Sequence, residues 1–146
     1  MDNLSREARR KNMQNIRSKE TKMEVRIRKK LWEKGIRYRK NVAGLPGHPD
    51  IAIKKYKIVI FLDSCFFHKC PIHFVMPSTN QAYWEKKITR NIARDQEINL
   101  YYKNKGWSIL RFWEHDTKKD NIANVIEYIS HIIRIKKSRF KTINTY

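Results

Sequence analysis

The first segment with a clear hydrophobic pattern begins at Thr21. Thr21-Lys-Met-Glu24 matches a capping box, a side-chain pattern that begins many helices. Apolar residues then recur at every fourth position, at Met23, Ile27 and Leu31, and Gly35 supplies a stop. This spacing predicts an amphipathic helix from Thr21 to the residues just before Gly35.

Period-two and fully apolar patterns follow this helix and predict three strands. Residues 36–39 alternate apolar and basic side chains, which is typical of a half-buried strand, and a loop rich in glycine and proline follows at 44–49. Residues 51–53 and 57–62 indicate two further strands around the turn 54–56, and we expect them to pair as a hairpin. Because 57–62 is apolar on both faces, it is predicted to be a central strand of a covered sheet.

The second half of the chain alternates helix, strand and helix. A long helix is predicted from about Gln81 to Lys105, before Gly106, then a strand over Trp107–Trp113 and a helix over Val125–Ile135. The whole order predicts an α/β fold with a mixed central sheet flanked by helices. It also suggests one domain over residues 21–135, with a basic N-terminal arm at 1–20 and a basic C-terminal tail at 136–146.

The net charge of the chain narrows the classes of partner that it can bind. The chain has 33 Lys plus Arg against 14 Asp plus Glu, a net charge of +19, which favours an anionic partner. Nucleic acid is favoured over a membrane surface, since no apolar run reaches the roughly 18 residues of a spanning helix. No signal-peptide pattern is present at the N-terminus, and the two cysteines are better explained as reduced metal ligands than as a disulfide. We therefore expect a cytoplasmic protein.

Candidate metal ligands are concentrated between Cys65 and His115. Cys65, Cys70 and His73 lie on one loop and His115 follows the last strand, so two thiolates and two imidazoles can complete a tetrahedral zinc shell. Such a site would staple the loop to the sheet in a small protein. Two alternatives stay open: the thiols and imidazoles bind no metal, or His68 takes the place of His73.

A carboxylate and a histidine suggest chemistry on a phosphodiester. Asp50 opens the strand at 51–53, and a zinc-held loop would fix His68 while leaving its ring able to act as a general base toward water. The plainer alternative for Asp50 is a turn or strand-cap residue, because Pro-Asp is common in loops.

Several motifs together resemble a known family. They are Leu45-Pro-Gly-His-Pro-Asp50, Val59-Ile-Phe-Leu-Asp63-Ser-Cys65-Phe-Phe-His68-Lys-Cys70-Pro-Ile-His73, Pro77-Ser-Thr-Asn80, Trp84-Glu-Lys-Lys87-Ile with Asn91 and Arg94-Asp95, and Gly106-Trp-Ser-Ile-Leu-Arg-Phe-Trp-Glu-His115. In this order, over about residues 9–116, the chain closely resembles the very-short-patch-repair (Vsr) mismatch endonucleases. Asn12-Met13 is similar to that family's N-terminal signature. Ser64 and Phe67 depart from it, since the family usually has glycine and tryptophan there.

The resemblance implies a fold related to the PD-(D/E)xK nucleases, stapled by zinc, and a magnesium-dependent nick 5′ to the mispaired thymine of a T:G pair. It implies that Asp50 binds magnesium together with the main-chain carbonyl of Leu62, that His68 is the general base, and that Glu24 binds a water of the magnesium shell. A capping role is the alternative for Glu24. The zinc ligands implied are Cys65, Cys70, His73 and His115. The position of Asp63 has no assigned role.

The resemblance also implies how DNA is recognised. Phe66, Phe67 and Trp84 would wedge into the base stack, which costs least at a mispair, and Lys87 and Asn91 would contact the mispaired bases. The alternatives are ordinary core aromatics and a solvated helix surface. A monomer acting on duplex DNA is expected, with a functional link to a cytosine methyltransferase and mismatch-repair proteins. A non-catalytic zinc-containing DNA-binding module, or a related nuclease with restriction or toxin-like specificity, is the competing interpretation.

Overall fold

The computed structural model of the protein describes residues 21–145, with side chains described through residue 139. The predicted basic arm at 1–20, including Asn12 and Met13, lies outside the described residues. Three helices and four strands follow one another, joined by 3₁₀ turns at 54–56 and 114–117. They are α1 (Lys22–Glu33), β1 (Arg39–Lys40), β2 (Ile51–Ile53), β3 (Ile58–Asp63), α2 (Gln81–Asn104), β4 (Ser108–Trp113) and α3 (Ile122–Thr145).

The four strands form one mixed sheet in the order β1-β2-β3-β4. β2 and β3 pair antiparallel, which confirms the predicted hairpin, and β1 pairs antiparallel with β2. β4 runs parallel to β3, so the long helix α2 serves as the crossover that a parallel pair requires. β3 is buried along its whole length, as its apolar sequence predicted for a central strand.

Side-chain alternation along β3 divides the core into two layers. Ile58, Ile60 and Leu62 pack with residues of α1 and α3 on one face of the sheet. Val59 and Phe61 pack on the other face, with Tyr102 of α2. The predicted α/β architecture with helices on both faces is therefore present, and the end of β3 emerges between the two layers.

The predicted strand at 36–39 is wrong in extent. Only Arg39 and Lys40 form β1, and both are exposed. Ile36 and Tyr38 pack partly against the core without strand pairing, and the Tyr38 hydroxyl donates to the Arg28 carbonyl of α1 at 3.0 Å. The alternating pattern thus reflects packing of an irregular segment beneath α1.

The last helix is longer than its hydrophobic periodicity predicted. It begins at Ile122 and continues to Thr145, so residues 136–145 are helical rather than a separate tail. No glycine or proline follows Ile135 to end the helix. No helix in residues 21–145 is both long and apolar enough to cross a lipid bilayer.

Candidate active site and metal centre

A cavity of about 640 Å³ lies where β3 ends beside α2 and the loop that precedes β2. The fold brings Asp50 and His68, which are 18 positions apart, to its wall. The full lining is Gly47, His48, Asp50, Phe61, Leu62, Asp63, His68, Asn91, Arg94, Asp95, Ile98 and Arg111. The cavity therefore combines carboxylates, imidazoles and guanidinium groups at the edge of an apolar core.

Asp50 is fixed at this edge by the backbone of β3. Its Oδ2 accepts a hydrogen bond from the Leu62 N–H at 2.7 Å. Burial, the largest cause, and the neighbouring carboxylates of Glu24 and Asp63 together raise the pKa of Asp50 to about 7, against the lowering effect of that hydrogen bond. A nearby cation would relieve the repulsion between these carboxylates.

The backbone of Glu24 lies in the cap of α1, and its side chain lies at the candidate site. Its N–H donates to the Thr21 hydroxyl at 3.2 Å, which caps α1. Its buried carboxylate accepts from Arg28 at 3.3 Å and lies within hydrogen-bonding reach of Asp50. The capping function therefore uses the backbone, while the side chain faces the candidate site.

His68 is oriented by a carboxylate from α2. Its Nδ1 lies 2.5 Å from Oδ2 of Asp95 and 3.8 Å from Oδ1 of Asp63. Burial lowers the pKa of His68, but the hydrogen bond to Asp95 and the negative charges of Asp63 and Asp95 outweigh it, so the net pKa is raised. With Nδ1–H donated to Asp95, the other ring nitrogen can accept a proton.

The candidate metal centre is formed by the loop that carries His68 and by His115, which follows β4. His115 Nδ1 is 3.4 Å from the Cys65 sulfur and 3.6 Å from the Cys70 sulfur, and His73 Nδ1 is 3.7 Å from the Cys70 sulfur. A tetrahedral zinc ion with ordinary bond lengths separates sulfur and nitrogen ligands by about 3.5 Å. All four ligand atoms lie within 4.8 Å of one another, so these residues could hold a metal ion.

Neighbouring groups suit a bound cation. The other ring nitrogen of His115 lies 3.5 Å from Asp116, as expected for a metal-bound histidine with an outer carboxylate. Burial raises the pKa of the Cys65 thiol, and the adjacent Cys70 raises it further, so a bound cation would favour the Cys65 thiolate. His68 is not among these four residues, because its ring is directed to Asp95.

An aromatic cluster borders the loop, separate from both core clusters. The Phe66 ring lies 5.2 Å from the rings of Phe67 and Trp84 and 5.8 Å from that of Phe74. Phe66, Phe67 and Trp84 are all half-buried and belong to neither of the two described core clusters. Their position favours a surface function over the alternative of core packing.

Lys87 and Asn91 both contact the aromatic cluster from α2. The Lys87 ammonium lies 5.7 Å from the ring centroids of Phe67 and Trp84. The Asn91 amide donates to the Phe67 carbonyl at 3.1 Å and so helps to hold the loop. The two side chains therefore occupy the same surface as the aromatic rings.

Known proteins align with most of this chain. A profile of the family described as DNA mismatch endonuclease Vsr matches residues 1–73, half of the chain. The type II nicking enzyme V.NmeDIP of Neisseria meningitidis serogroup C is 40% identical over 151 aligned positions, covering 97% of this chain and 98% of the relative. The chain belongs to the DNA mismatch endonuclease Vsr family.

Two further Vsr-family relatives are similarly close. The type II nicking enzyme V.NaeI of Lentzea aerocolonigenes is 40% identical over 127 residues, covering 84% of this chain and 76% of the relative. DNA mismatch endonuclease Vsr of Escherichia coli (strain K12) is 35% identical over 105 residues, 71% of this chain and 67% of the relative. The protein is thus a Vsr-like DNA endonuclease, and not the non-catalytic binding module that the sequence left open.

Asp63, Asp95 and Arg111 are linked to one another in the cavity of this Vsr-family protein, and none of them was assigned a role from the sequence. Asp95 could have been found by spacing, since Lys87, Asn91 and Asp95 recur every fourth residue and share one face of α2. Asp63 lies two positions after Phe61, so it faces the α2 side of the sheet. Arg111 is recognised only from the register of β3 and β4, in which it lies opposite Phe61.

We predict that Asp95→Asn lowers the pKa of His68, because the substitution removes the adjacent negative charge that favours the imidazolium. An NMR titration of the imidazole Cε1–H measures this, and His131, exposed on α3, is the internal reference. The His68 midpoint should move to lower pH while that of His131 stays constant. An unchanged His68 midpoint would show that Asp95 does not control this ring.

Proposed function

We propose that this protein recognises a T:G mismatch in duplex DNA and nicks the strand 5′ to the mispaired thymine. The observation that carries the proposal is the joint position of Asp50 and His68 on the wall of one cavity, with His68 on the loop that also carries Phe66 and Phe67. A carboxylate and an oriented imidazole suit hydrolysis of a phosphodiester. The neighbouring rings suit detection of a weak base pair.

Magnesium is the cofactor proposed for this cavity. Asp50 and the Leu62 carbonyl would hold it, and Glu24 would bind one of its waters. The fit rests on the adjacent Glu24 and Asp50 carboxylates, whose mutual repulsion a divalent cation would relieve, and on the preference of magnesium for oxygen ligands. When bound, magnesium offsets negative charge on the phosphodiester.

His68 would take the proton from the attacking water. Asp95 binds its Nδ1 and so fixes both the ring orientation and the proton-bearing nitrogen. The raised pKa of His68 makes the ring a stronger proton acceptor, which suits a general base. Since the ring lines the same cavity as Asp50, the base and the metal site would face one phosphate.

Mismatch recognition would come from insertion of Phe66, Phe67 and Trp84 into the base stack. Separating a base step costs a few kcal/mol, and this cost is lowest where pairing is already weak. Lys87 and Asn91 lie against the same rings and would contact the mispaired bases. Deamination of 5-methylcytosine produces T:G pairs, so the protein would act with a cytosine methyltransferase and with mismatch-repair proteins.

Zinc is the metal proposed for the cluster of Cys65, Cys70, His73 and His115. Two thiolates and two imidazoles in tetrahedral spacing suit zinc better than magnesium, which takes oxygen ligands. A closed set of four protein ligands is typical of structural zinc. The ion would join the catalytic loop to the end of β4, and the protein would act as a monomer.

A second candidate is a nuclease with a different DNA preference. It is favoured by the names of relatives from Neisseria meningitidis and Lentzea aerocolonigenes, which are type II nicking enzymes rather than mismatch endonucleases. Comparing the cleavage of duplexes with and without a T:G mismatch distinguishes the two candidate functions.

We predict nicking of T:G duplexes only, with magnesium, at the 5′ side of the thymine. Three duplex pools with random flanks, differing in a central T:G, C:G or T:A pair, are treated with wild-type protein and the nick is mapped on a denaturing gel. Equal cutting of all three pools would establish the second candidate instead.

The same nicking assay tests whether Asp50 and His68 are needed for cleavage. Asp50→Asn and His68→Ala should each slow nicking by about 100-fold or more, the usual contribution of such groups. Asp120→Asn and His131→Ala, at exposed positions outside the cavity, are the matched controls. Variants of Asp50 and His68 that cut as fast as these controls would remove both residues from the mechanism.

We predict that Phe67→Leu weakens binding to a T:G duplex by about 5- to 150-fold, the loss expected when 1–3 kcal/mol of base stacking disappears. Phe67→Trp should tighten it, since an indole covers more of a base. Fluorescence anisotropy measures the affinity, and Trp32→Leu, an exposed aromatic of α1, is the control. Equal affinity in wild type and Phe67→Leu would exclude insertion of this ring.

We predict one zinc ion per chain by mass spectrometry of the purified protein. Cys70→Ser and His73→Gln should lose zinc and melt at lower temperature, because a structural metal contributes directly to folding. His68→Gln and His131→Gln should keep it. Full zinc in His73→Gln but not in His68→Gln would reverse the assignment of the two histidines.

A further inference from the structure

Arg111 of β4 sends its guanidinium between two carboxylates of the active-site cavity. Its Nη1 lies 2.9 Å and 3.2 Å from the two carboxylate oxygens of Asp63, and 3.6 Å from Oδ1 of Asp95. Its Nε donates to Asn99 Oδ1 at 2.6 Å. One side chain thus connects β4, the end of β3 and α2.

The two carboxylates that Arg111 binds are the same two that flank His68. Oxygen atoms of Asp63 and Asp95 and a ring nitrogen of His68 all lie within 4.8 Å of one another. Two carboxylates this close repel each other unless a cation lies nearby. Arg111 supplies that cation from the protein itself, at hydrogen-bonding distance from Asp63.

The third guanidinium nitrogen of Arg111, Nη2, lacks a hydrogen-bond partner among the described residues. This nitrogen is also buried. A buried donor without a partner lowers the stability of the folded state. The guanidinium also stacks over the Phe61 ring at 4.4 Å, which restricts its rotation. A side chain fixed in this way is suited to holding its partners in place.

Direct contact with a DNA phosphate does not suit Arg111. Nε and Nη1 are engaged by Asn99 and Asp63, and Nη2 is covered. Arg94, on the same cavity wall, is exposed and better placed to contact phosphate. The role of Arg111 must therefore be exerted through the carboxylates.

We propose that Arg111 is a positioning residue, which holds Asp63 and Asp95 together so that the His68 ring keeps its orientation toward the cavity. The inference rests on the proposed function, in which His68 takes a proton from water. The inference adds a structural requirement to the roles of Asp50 and His68. Strand β4, which carries Arg111, must keep its position relative to α2 so that the His68 ring stays oriented.

Arg111→Lys, Arg111→Met and the double variant Asp63→Asn with Arg111→Met test this role, with Arg134→Met as the matched control. Arg134 pairs with Glu127 on the surface of α3. The double variant removes both members of the pair and leaves no unpaired Asp63 charge, so it keeps the test open should Arg111→Met fail to fold. The first measurement, on DNA-free protein, is the far-downfield proton resonance of His68 Nδ1–H, assigned by its loss in His68→Gln.

The resonance should be present in wild type and Arg134→Met, shifted in Arg111→Lys, and lost by solvent exchange in Arg111→Met. An unchanged resonance in Arg111→Met would overturn the proposal. This result does not depend on a substrate, so it decides the role of Arg111 even if wild-type protein fails to nick T:G duplexes and the proposed function is wrong.

The second measurement separates rate from affinity. Under single-turnover conditions with saturating enzyme, Arg111→Met should nick about 10- to 100-fold more slowly, as when an outer partner of a catalytic group is lost. Its Kd for DNA should match that of wild type, and Arg111→Lys should recover part of the rate. With Asp63→Asn alone as the fourth member of the cycle, the loss in the double variant should be smaller than the sum of the losses in the two single variants. A Kd that rises in step with the rate loss would assign Arg111 to phosphate binding, and additive losses would show that it does not act through Asp63.

Discussion

The attachment of the loop 64–80 to the end of β4 is the constraint on which the site depends. This loop contains no helix or strand, yet it carries His68 and, in Phe66 and Phe67, two of the aromatic residues proposed to insert into DNA. Cys65, Cys70 and His73 meet His115 from the turn after β4, and this meeting defines where the loop can lie. A second set of contacts, from Asn91 and Asp95 of α2, then fixes the far side of the loop. The residues proposed for catalysis and DNA contact are therefore positioned by the parallel β3/β4 pair and its crossover helix.

The chain as a whole is strongly basic, whereas acidic side chains are concentrated at the candidate site. The chain carries a net charge of +19, while Glu24, Asp50, Asp63 and Asp95 gather at one end of the sheet. Long-range attraction brings a polyanion to the surface, but a phosphate entering the cavity meets carboxylates. Arg111 offsets the charge of Asp63 and Asp95. The carboxylates of Glu24 and Asp50 are where the proposed divalent cation would be required.

The strongest sequence patterns gave the fold correctly. The hairpin of β2 and β3 and the long helix α2 were predicted because apolar runs and clear turn residues bounded them. The strand at 36–39 was wrong, since four alternating residues can equally describe an irregular segment packed under a helix. The end of α3 was missed because a helix whose last turns are basic shows no hydrophobic periodicity there.

Part of the site was accessible from the sequence and part was not. The spacing of Cys65, Cys70, His73 and His115 indicated a metal site, and the family resemblance singled out Asp50 and His68. The Asp63, Asp95 and Arg111 network depends on strand register and on the rotation of α2, which bring together residues up to 48 positions apart. No local pattern contains that information. Through this network His68 is one end of a chain of hydrogen bonds and ion pairs that continues through Asp95 and Asp63 to Arg111.

The central claim is that one loop separates metal binding from catalysis, with His73 on the metal and His68 on Asp95. X-ray absorption at the zinc edge tests it most directly. The account predicts two sulfur neighbours at about 2.3 Å and two nitrogen neighbours at about 2.0 Å. This shell should be unchanged in His68→Ala and should lose one nitrogen in His73→Ala. Loss of a nitrogen neighbour in His68→Ala, with an intact shell in His73→Ala, would contradict the account.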